Sequence, residues 1–522
     1  MTRLQKVLLS LLSGVLLSFA WLPFGHGGFA LVGLTPLLWI EYNHTAKKKE
    51  NQAVDITTYA FMAFLTWNIL TTFWIYYTSP TGMAIVMLLN SLFMTFVFYM
   101  GHLSKRILGR QTGGIAMVLY WLALEHFYLH SQLSWPWLNL GNAFANQPNL
   151  VQWYEYTGVE GGSLWIWLVN LSIVGLARAF YYKSNKLIAR ALFLALLTGI
   201  PLWTSFSLHA DKINKQEYLT VAVLQPNIDP FTTKFSSSQE KQLKDLLELA
   251  DNIASTKTDY ILGPETAIHD TIWLDSLSTN EHIQQLRNFA KKHPHITLVT
   301  GIETMQGVGS ANKTPELRLY NSAIQMDTSL SIPVYHKSKL VAGVESIPYP
   351  KVFGFLSDLQ LELGGTQGLR GRQKERTTFR HSQKPVRIAP VICFESIYGE
   401  HVNEFVAQGA NIIFIMTNDG WLKSSVGYQQ HFSFARLRAI ETRRTIARSA
   451  NTGISGFIAA NGDILSTTEK NTKTAIDQIV PVNNSTTFYV IHGDFIGRLS
   501  AFLAIISLLY TLVVRKTKKY DS

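Results

Sequence analysis

Of the 522 residues in this chain, one is a cysteine, Cys393. A lone thiol excludes an internal disulfide framework, and one sulfur without a cluster of histidines makes a poor metal site. His293 and His295 flank a proline and lack the helical spacing of zinc ligands, so neither a metal nor a cofactor is expected. Charge is scarce as well. Asp, Glu, Lys and Arg make up 16% of the chain against 47% hydrophobic residues, which argues for a membrane protein with a soluble part. There is no Walker pattern and no G-x-G-x-x-G after a strand, so the usual nucleotide sites are missing, and no internal repeat is visible.

A net charge of +11 would suit nucleic acid, but the cations of the apolar regions cluster in short loops between hydrophobic runs, and no nucleic-acid partner is expected. Eight apolar segments are long enough to enter or cross a bilayer: Val7–Phe24, Gly28–Ile40, Thr57–Tyr77, Met83–Leu103, Ile115–Tyr128, Ser163–Tyr181, Ala191–Leu208 and Phe495–Val514. The second and fifth are short and read as tilted, re-entrant or extended by amphipathic ends. Loops on one side carry Arg3 and Lys6, Lys47–Lys49, Lys105, Arg106 and Arg110, Lys183, Lys186 and Arg190, and finally Arg515, Lys516, Lys518 and Lys519. The loops near Gly25–Gly27, Ser79–Gly82 and His130–Gly161 carry no Lys or Arg. The positive-inside rule then puts both termini in the cytoplasm and Asp211–Asp494 outside it. No small-x-small cleavage site follows the first segment, which therefore reads as a span and not a signal peptide. The implied division is 1–210 for an amino-terminal membrane region of about seven segments, 216–490 for a soluble domain and 495–515 for a last transmembrane helix.

From Tyr218 the texture changes to alternating strand and helix patterns. Strands are expected at Tyr218–Leu224, Tyr260–Leu262, Ile296–Ile302, Leu319–Met326, Val334–Val341, Val386–Cys393, Asn411–Met416 and Ser455–Ala460. Helices are expected at Gln239–Ile253, His282–Lys291, Tyr398–Gln408 and Phe432–Arg444, and loops at Val308–Glu316 and Gly364–Arg376. The fold class is thus a membrane α-helical bundle plus an α/β domain with its sheet covered. The aromatic loop His130–Gly161, with Trp135 and Trp137, suits an interfacial belt or a surface guiding a lipid tail.

Three residues of the soluble domain fit one chemistry. Glu265 follows a proline at the end of an apolar strand, where a half-buried carboxylate is well placed as a general base. Lys337 shares a face with Tyr335 and Lys339, and a lysine near a thiol lowers its pKa and can donate to an oxyanion. Cys393 ends a β-branched run and is a candidate nucleophile. Each also has a plainer reading: a solvated glutamate, a basic face, a small buried hydrophobe. Their joint occurrence carries the weight.

The order Glu265, Lys337, Cys393 resembles that of the nitrilase superfamily, whose Glu-Lys-Cys triad sits in an α-β-β-α sandwich. With spans before such a domain and one after it, essentially the whole chain resembles the apolipoprotein N-acyltransferase family. The specific parts are Phe19 to Gly25 with its Pro-Phe-Gly, Trp135-Pro136-Trp137-Leu138, Gln225-Pro226-Asn227-Ile228, Pro264-Glu265, Tyr335-His336-Lys337 with Leu340-Val341 after it, Pro390 to Glu395, Thr417 to Trp421, and the run from Gln430 to Gly453. Two places depart from the family pattern. Gly263 stands where the family usually has Trp, and Ala342-Gly343-Val344-Glu345 where it usually has Pro-Phe-Gly-Glu. Both bear on the acyl pocket and leave the triad intact.

The resemblance implies a multi-pass enzyme of the bacterial inner membrane with its catalytic domain in the periplasm. Its partners would be the bilayer, a membrane phospholipid as acyl donor and a diacylated apolipoprotein as acceptor. Glu265 would take the thiol proton, Cys393 would carry the acyl chain as a thioester, and Lys337 with the backbone N–H of Phe394 would hold the oxyanion. Glu345 and Glu395 are implied to position Lys337 and tune the thiol. Phe235, Trp421, Trp135 and Trp137 are candidates for lining the lipid entrance. A transporter fits less well, because the spans hold few ionisable groups, Glu125 and His126 being the clearest. A membrane-anchored nitrilase-like amidase would need only one span, and a catalytically dead binding module would have no use for an intact triad.

Overall fold

The computed structural model describes residues 1–45, 52–210, 217–308, 316–354, 370–423 and 425–520. Lys47–Lys49, most of the expected loop Val308–Glu316 and residues 364–369 lie outside the described residues. The chain divides into two compact units. One comprises Met1–Tyr76, Pro80–Ala210 and His492–Ser522, the other Tyr77–Ser79 and Asp211–Ile491.

The first unit is helical, with principal helices Arg3–Phe19, Thr35–Thr45, Gln52–Thr72, Pro80–Leu108, Arg110–His130, Tyr154–Tyr181, Leu187–Ala210 and Phe495–Tyr520. Among the described residues, four helical stretches are long and apolar enough to cross a membrane: Pro80–Leu108, Tyr154–Tyr181, Leu187–His209 and Phe495–Thr517. The expected segment Gly28–Ile40 is not one helix. Short turns at Gly27–Phe29 and Ala30–Gly33 precede Thr35–Thr45, and Pro36 lacks the N–H that a continuous helix would need there. Thr57–Tyr77 is interrupted too, between Gln52–Thr72 and Ile75–Thr78. Gly109, at φ +86°, lets the chain leave one long helix and enter the next.

Several buried polar groups of this unit are paired within it. Glu125 accepts from Trp121 Nε1 at 2.8 Å and from the Leu140 N–H at 2.7 Å, and His126 Nδ1 lies 2.8 Å from Asp494. Sequence reading missed Glu41, which accepts from Lys105 at 2.9 Å and sits 3.0 Å from His102.

Among the described residues the second unit has thirteen strands: β1 (Glu217–Gln225), β2 (Tyr260–Leu262), β3 (Ile268–Trp273), β4 (Thr297–Val308), β5 (Glu316–Met326), β6 (Val334–His336), β7 (Phe379–Arg380), β8 (Arg387–Ile392), β9 (Ile412–Thr417), β10 (Ile446–Ala450), β11 (Gly456–Ile458), β12 (Ile464–Thr467) and β13 (Thr474–Val482). One sheet has the order β13-β1-β2-β4-β5-β6, with β3 also paired to β4, and the other β12-β11-β10-β9-β8-β7. The centres are parallel, β1 with β2 and β2 with β4 in one sheet, β8 with β9 and β9 with β10 in the other.

The period-two alternation of a strand sorts the core into layers. Leu219, Val221 and Val223 of β1 pack in one cluster with Ile388, Val391 and Ile413 of the second sheet. Ala222 and Leu224, between them in sequence, pack with Leu243, Leu246 and Ile283 from the helices Gln239–Ile253 and Glu281–Lys292. The helices Gly399–Ala407 and Ser425–Thr442 supply Val402, Phe405, Phe432 and Ala439 beside the second sheet. The layers are therefore helix, sheet, sheet, helix.

Two differences from the sequence reading have physical causes. The expected strand Val334–Val341 stops at His336, because the N–H groups of Ser338 and Lys339 donate to the Glu395 carboxylate at 2.6 and 3.3 Å instead of to a ladder. The unanticipated β12 and β13 are edge strands, half exposed and without a continuous apolar run.

Gln225 ties the sheets together at the end of β1. Its side-chain oxygen accepts from the Ser455 N–H at 3.1 Å, Ser455 Oγ at 2.8 Å and Thr468 Oγ1 at 2.7 Å, and its amide donates to the Glu469 carbonyl at 2.9 Å. Gln225→Leu leaves these buried groups unmet and should destabilise the protein by about 2–4 kcal/mol. Thermal unfolding of the purified variant checks this, and an unchanged Tm would refute it.

Candidate active site

Glu265, Lys337, Cys393 and Asp419 all lie just past the carboxy ends of strands, β2, β6, β8 and β9 respectively. β6 runs in the direction of β4, since each is antiparallel to β5. Open α/β sheets present their ligand sites at such ends, where loops converge and helices leave room.

Cys393 opens the turn Cys393–Ile397 directly after β8, with φ at +51°. A non-glycine residue held there stores about 1–3 kcal/mol of strain, so its surroundings must fix it. The Cys393 carbonyl accepts from Ser396 Oγ at 2.7 Å and lies 3.3 Å from His431 Nε2. His431 is held by Asp419 at 2.9 Å, and Asp419 takes both its oxygens to Arg448 at 2.9 Å each. Burial would raise the Asp419 carboxyl, but Arg448 and His431 hold it well below the usual carboxylate range. The thiol itself is pushed up, by burial first and by the Glu265 carboxylate second, against a weaker downward pull from Lys337 and the Thr417 hydroxyl. It rests protonated at neutral pH.

Glu265 is buried and accepts from Asn321 Nδ2 at 2.7 Å and Lys337 Nζ at 3.1 Å. The turn carrying it brings Thr266 to φ +46° and passes over Gly301, where a Cβ would come within 2.8 Å of the Glu265 Cα. Gly263 is matched to its surroundings as well, since a Cβ there would collide with the Thr300 hydroxyl. Lys337 Nζ also donates to Glu345 at 2.9 Å. Burial would lower the lysine, but Glu265 and Glu345 raise it well above its ordinary value. Glu345 is fixed by the Val341 N–H at 2.8 Å, inside the loop that turns at Gly343 with φ +82°.

Glu395 acts on the backbone beside Lys337 and Cys393. Its oxygens are engaged by Tyr335 Oη at 2.7 Å, the N–H of Ser338 at 2.6 Å, the N–H of Ile392 at 2.9 Å and His401 at 3.2 Å. It therefore reaches Lys337 only through backbone, clamping the residue after the lysine to the residue before the cysteine. Burial would raise this carboxyl, but His401 and those N–H groups hold it at about 2.

Phe235 and Trp421 come together, ring centroids 6.4 Å apart, with Phe231 5.2 Å from Trp421, and Phe235 is 66% exposed. Trp135 and Trp137 belong to the helical unit and stack 5.8 Å apart. Trp137 is buried against Trp74 and its carbonyl accepts from Trp21 Nε1, so it is a packing residue of that unit.

Several groups at the site were not assigned a role from sequence. Asn321 is one of three polar residues, with Ser322 and Gln325, in the buried half of β5, so the strand pattern did not single it out. Lys234 sits in a polar stretch and does not stand out either. It is buried, donates to Thr266 Oγ1, and is pulled down by burial to about 8 while Glu265 and Glu303 oppose the fall. Arg370 pairs with Glu303 at 3.3 Å. Among the described residues no cluster of His, Cys, Asp and Glu could hold a metal ion.

A strained, partly buried thiol beside a carboxylate and an ammonium can be deprotonated, attack a carbonyl and have the resulting oxyanion stabilised. The layered fold and this Glu-Lys-Cys cluster define a nitrilase-type catalytic domain. Residues 220–484 match the family described as Carbon-nitrogen hydrolase, and residues 13–172 that described as Apolipoprotein N-acyltransferase N-terminal domain. An apolipoprotein N-acyltransferase of Chlorobaculum tepidum is 28% identical, covering 94% of this chain and 93% of its own. Another, of Thermotoga maritima, is 24% identical over 97% of this chain and 93% of its own. Among solved structures, a Nesterenkonia AN1 amidase from the nitrilase superfamily aligns at 14% identity and a TM-score of 0.37, covering 52% of this chain and 94% of that one. The chain belongs to the carbon-nitrogen hydrolase family and, over nearly its whole length, to the apolipoprotein N-acyltransferases.

Two measurements test the electrostatics. Alkylation of Cys393 by iodoacetamide should still be rising above about pH 9, the ordinary thiol value. Glu265→Gln removes a group that pushes the thiol up and should move the profile to lower pH, whereas Lys337→Met should move it to higher pH. Coincident profiles would show that neither group acts on the thiol. For Glu395, a carboxyl lowered on folding gives stability that is complete above the unfolded value of about 4.3 and is lost as pH falls through about 2. Glu395→Gln should therefore flatten the fall in Tm between about pH 4 and pH 2. A fall as steep as that of the wild type would contradict this assignment.

Proposed function

We propose that the protein transfers a fatty acyl chain from a membrane phospholipid to the N-terminal amine of the diacylglyceryl-cysteine of an apolipoprotein, through a thioester on Cys393. The observation that carries this reading is a buried Glu265–Lys337 pair acting on the strained Cys393, in a chain alike over nearly its full length to apolipoprotein N-acyltransferases. Glu265 takes the thiol proton, and the thiolate attacks the ester carbonyl of the phospholipid. Lys337 and the backbone N–H of Phe394 hold the tetrahedral oxyanion, a contribution of roughly 10²–10³ in rate per donor. The C–O bond to the glycerol breaks, Glu265 returns its proton to the lysophospholipid, and the acyl chain stays on sulfur. The acceptor amine then attacks the thioester with Glu265 again as base, forming the amide and restoring the thiol, a ping-pong sequence. Glu345 fixes Lys337, Glu395 clamps the turn, and Phe235 with Trp421 offers an exposed aromatic surface for an acyl chain.

Both substrates carry fatty chains, which gives the membrane region a purpose that a soluble amidase lacks. In this reading segments within 1–210 and 495–515 make about eight passes or re-entries, both termini are cytoplasmic, and 216–490 is periplasmic at the bacterial inner membrane. The alternation of basic and cation-free loops and the four long apolar helices support it.

Mass spectrometry of the full-length protein after incubation with phospholipid tests the chemistry. A fatty-acyl adduct is expected on wild type and absent from Cys393→Ala. No adduct on folded, membrane-inserted wild type sinks the acyltransfer reading, and an adduct that passes to water but never to a diacylated lipopeptide makes the protein a hydrolase.

A further inference from the structure

One cavity lies within the helical unit, and none of the residues lining it is among those discussed above as catalytic. It measures about 360 Å³ and opens between the helices Thr35–Thr45, Arg110–His130 and Tyr154–Tyr181. Most of its wall is aliphatic, with Leu38, Val118, Leu119, Leu164, Leu168 and Leu171. Gly114 and Gly175 leave it open, since a Cβ at either would meet nothing nearer than 3.9 Å and 3.8 Å respectively.

One end of this groove is cationic. The guanidinium carbons of Arg178 and Arg110 lie over the ring of Tyr42, 3.8 and 4.3 Å from its centroid, and Arg110 donates to the Tyr42 hydroxyl at 3.1 Å. Lys105 and Glu41 line the same end and neutralise each other at 2.9 Å. Arg110 and Arg178 have no carboxylate partner among the described residues, and Arg178 Nε is buried without a hydrogen-bond acceptor there. Two like charges share one aromatic ring in an apolar wall, and a bound anion would relieve their repulsion. A phosphodiester suits them, because guanidinium forks bind phosphate oxygens through paired charge-assisted hydrogen bonds. An apolar groove between membrane helices, with a basic mouth, matches the headgroup and chains of an acidic lipid.

We infer that this groove binds one anionic diacyl phospholipid, its phosphate between Arg110 and Arg178 and an acyl chain along the aliphatic wall. On the topology proposed above, Arg110 and Arg178 face the cytoplasmic leaflet, so this lipid is held and not consumed. Nothing lining the groove is a thiol, and its one carboxylate is already paired. The inference needs only that the helical unit sits in a bilayer, and no chemistry at Cys393.

Native mass spectrometry of the full-length protein in detergent, titrated with palmitoyl-oleoyl phosphatidylglycerol, tests it. Wild type should retain one more lipid than the Arg110→Ala/Arg178→Ala variant, with affinity at that site falling at least about tenfold. Gly175→Leu keeps both arginines, fills open space, and should lose the same lipid, which answers the case in which the double variant fails to fold. Dioleoylglycerol, lacking the phosphate, should not be retained. Equal retention by wild type and Gly175→Leu, or dioleoylglycerol held as strongly as phosphatidylglycerol, overturns the proposal. The same spectra report the Cys393 acyl adduct. Arginine-dependent retention without an adduct sinks acyl transfer alone, and an adduct with arginine-independent retention sinks the lipid site alone.

Discussion

Lys337 is a buried ammonium shared by two buried carboxylates, 3.1 Å from Glu265 and 2.9 Å from Glu345, and the rest of the site is arranged around that imbalance. One cation against two anions would leave a net negative charge out of water, and an unpaired buried charge costs several kcal/mol. The surplus is met from further out. Arg370 bonds Glu303 and acts on both Glu345 and Glu265, and Lys234 acts on Glu265 and Glu303. Glu265, Glu303 and Glu345 are thus balanced by Lys234, Lys337 and Arg370. A neutral cluster gives no bonus to a thiolate, which is why burial prevails and Cys393 rests protonated. When the proton passes to Glu265 the total charge stays the same. The negative charge only moves from one neighbour of Lys337 to another.

The two halves of that cluster hang from different sheets. Glu265 and Lys337 follow β2 and β6 of one, and Cys393 and Asp419 follow β8 and β9 of the other. The spacing between the proposed base and the proposed nucleophile is therefore set by how the sheets pack, through Val221, Val223, Val391 and Ile413 in their shared core. Dense packing resists small displacements, and a proton transfer tolerates few. Glu395 adds a direct strut, bonding Ser338 after the lysine and Ile392 before the cysteine. The same carboxylate ends the strand that would otherwise continue past His336, so local structure is given up to hold the site.

Much of this was legible in the residue pattern. The helix Gln239–Ile253 and the strand Tyr260–Leu262 have the expected bounds, because their apolar positions face one core and follow one period. Glu265 and Cys393 stand out at strand ends and Lys337 on one face of a strand-like run, and the resemblance joins the three. Hidden were features set by partners far along the chain. Asn321 meets Glu265 from 56 positions away, and Lys234 meets Thr266 across 32. The left-handed backbone of Cys393 left no trace either, since Ser396 and His431 impose it from outside the strand. Periodicity reports which face a side chain buries, and it is silent on which polar groups converge there.

The solitary cysteine is consistent with these constraints. On the topology proposed above the domain faces an oxidising compartment, where a free thiolate would be open to oxidation, and reactivity of that kind follows thiolate character and exposure. Partial burial keeps Cys393 as a thiol until, in the proposed mechanism, Glu265 takes its proton, and with no second cysteine in the chain no internal disulfide can trap it. The acyl-enzyme of the proposed mechanism faces the opposite hazard, loss of the chain to water. A site that buries Glu265 and Lys337 limits that loss while leaving an aromatic surface at Phe235 for the chain. Resting protection of the sulfur and protection of the thioester thus come from the same physical condition, exclusion of water around one neutral charge cluster.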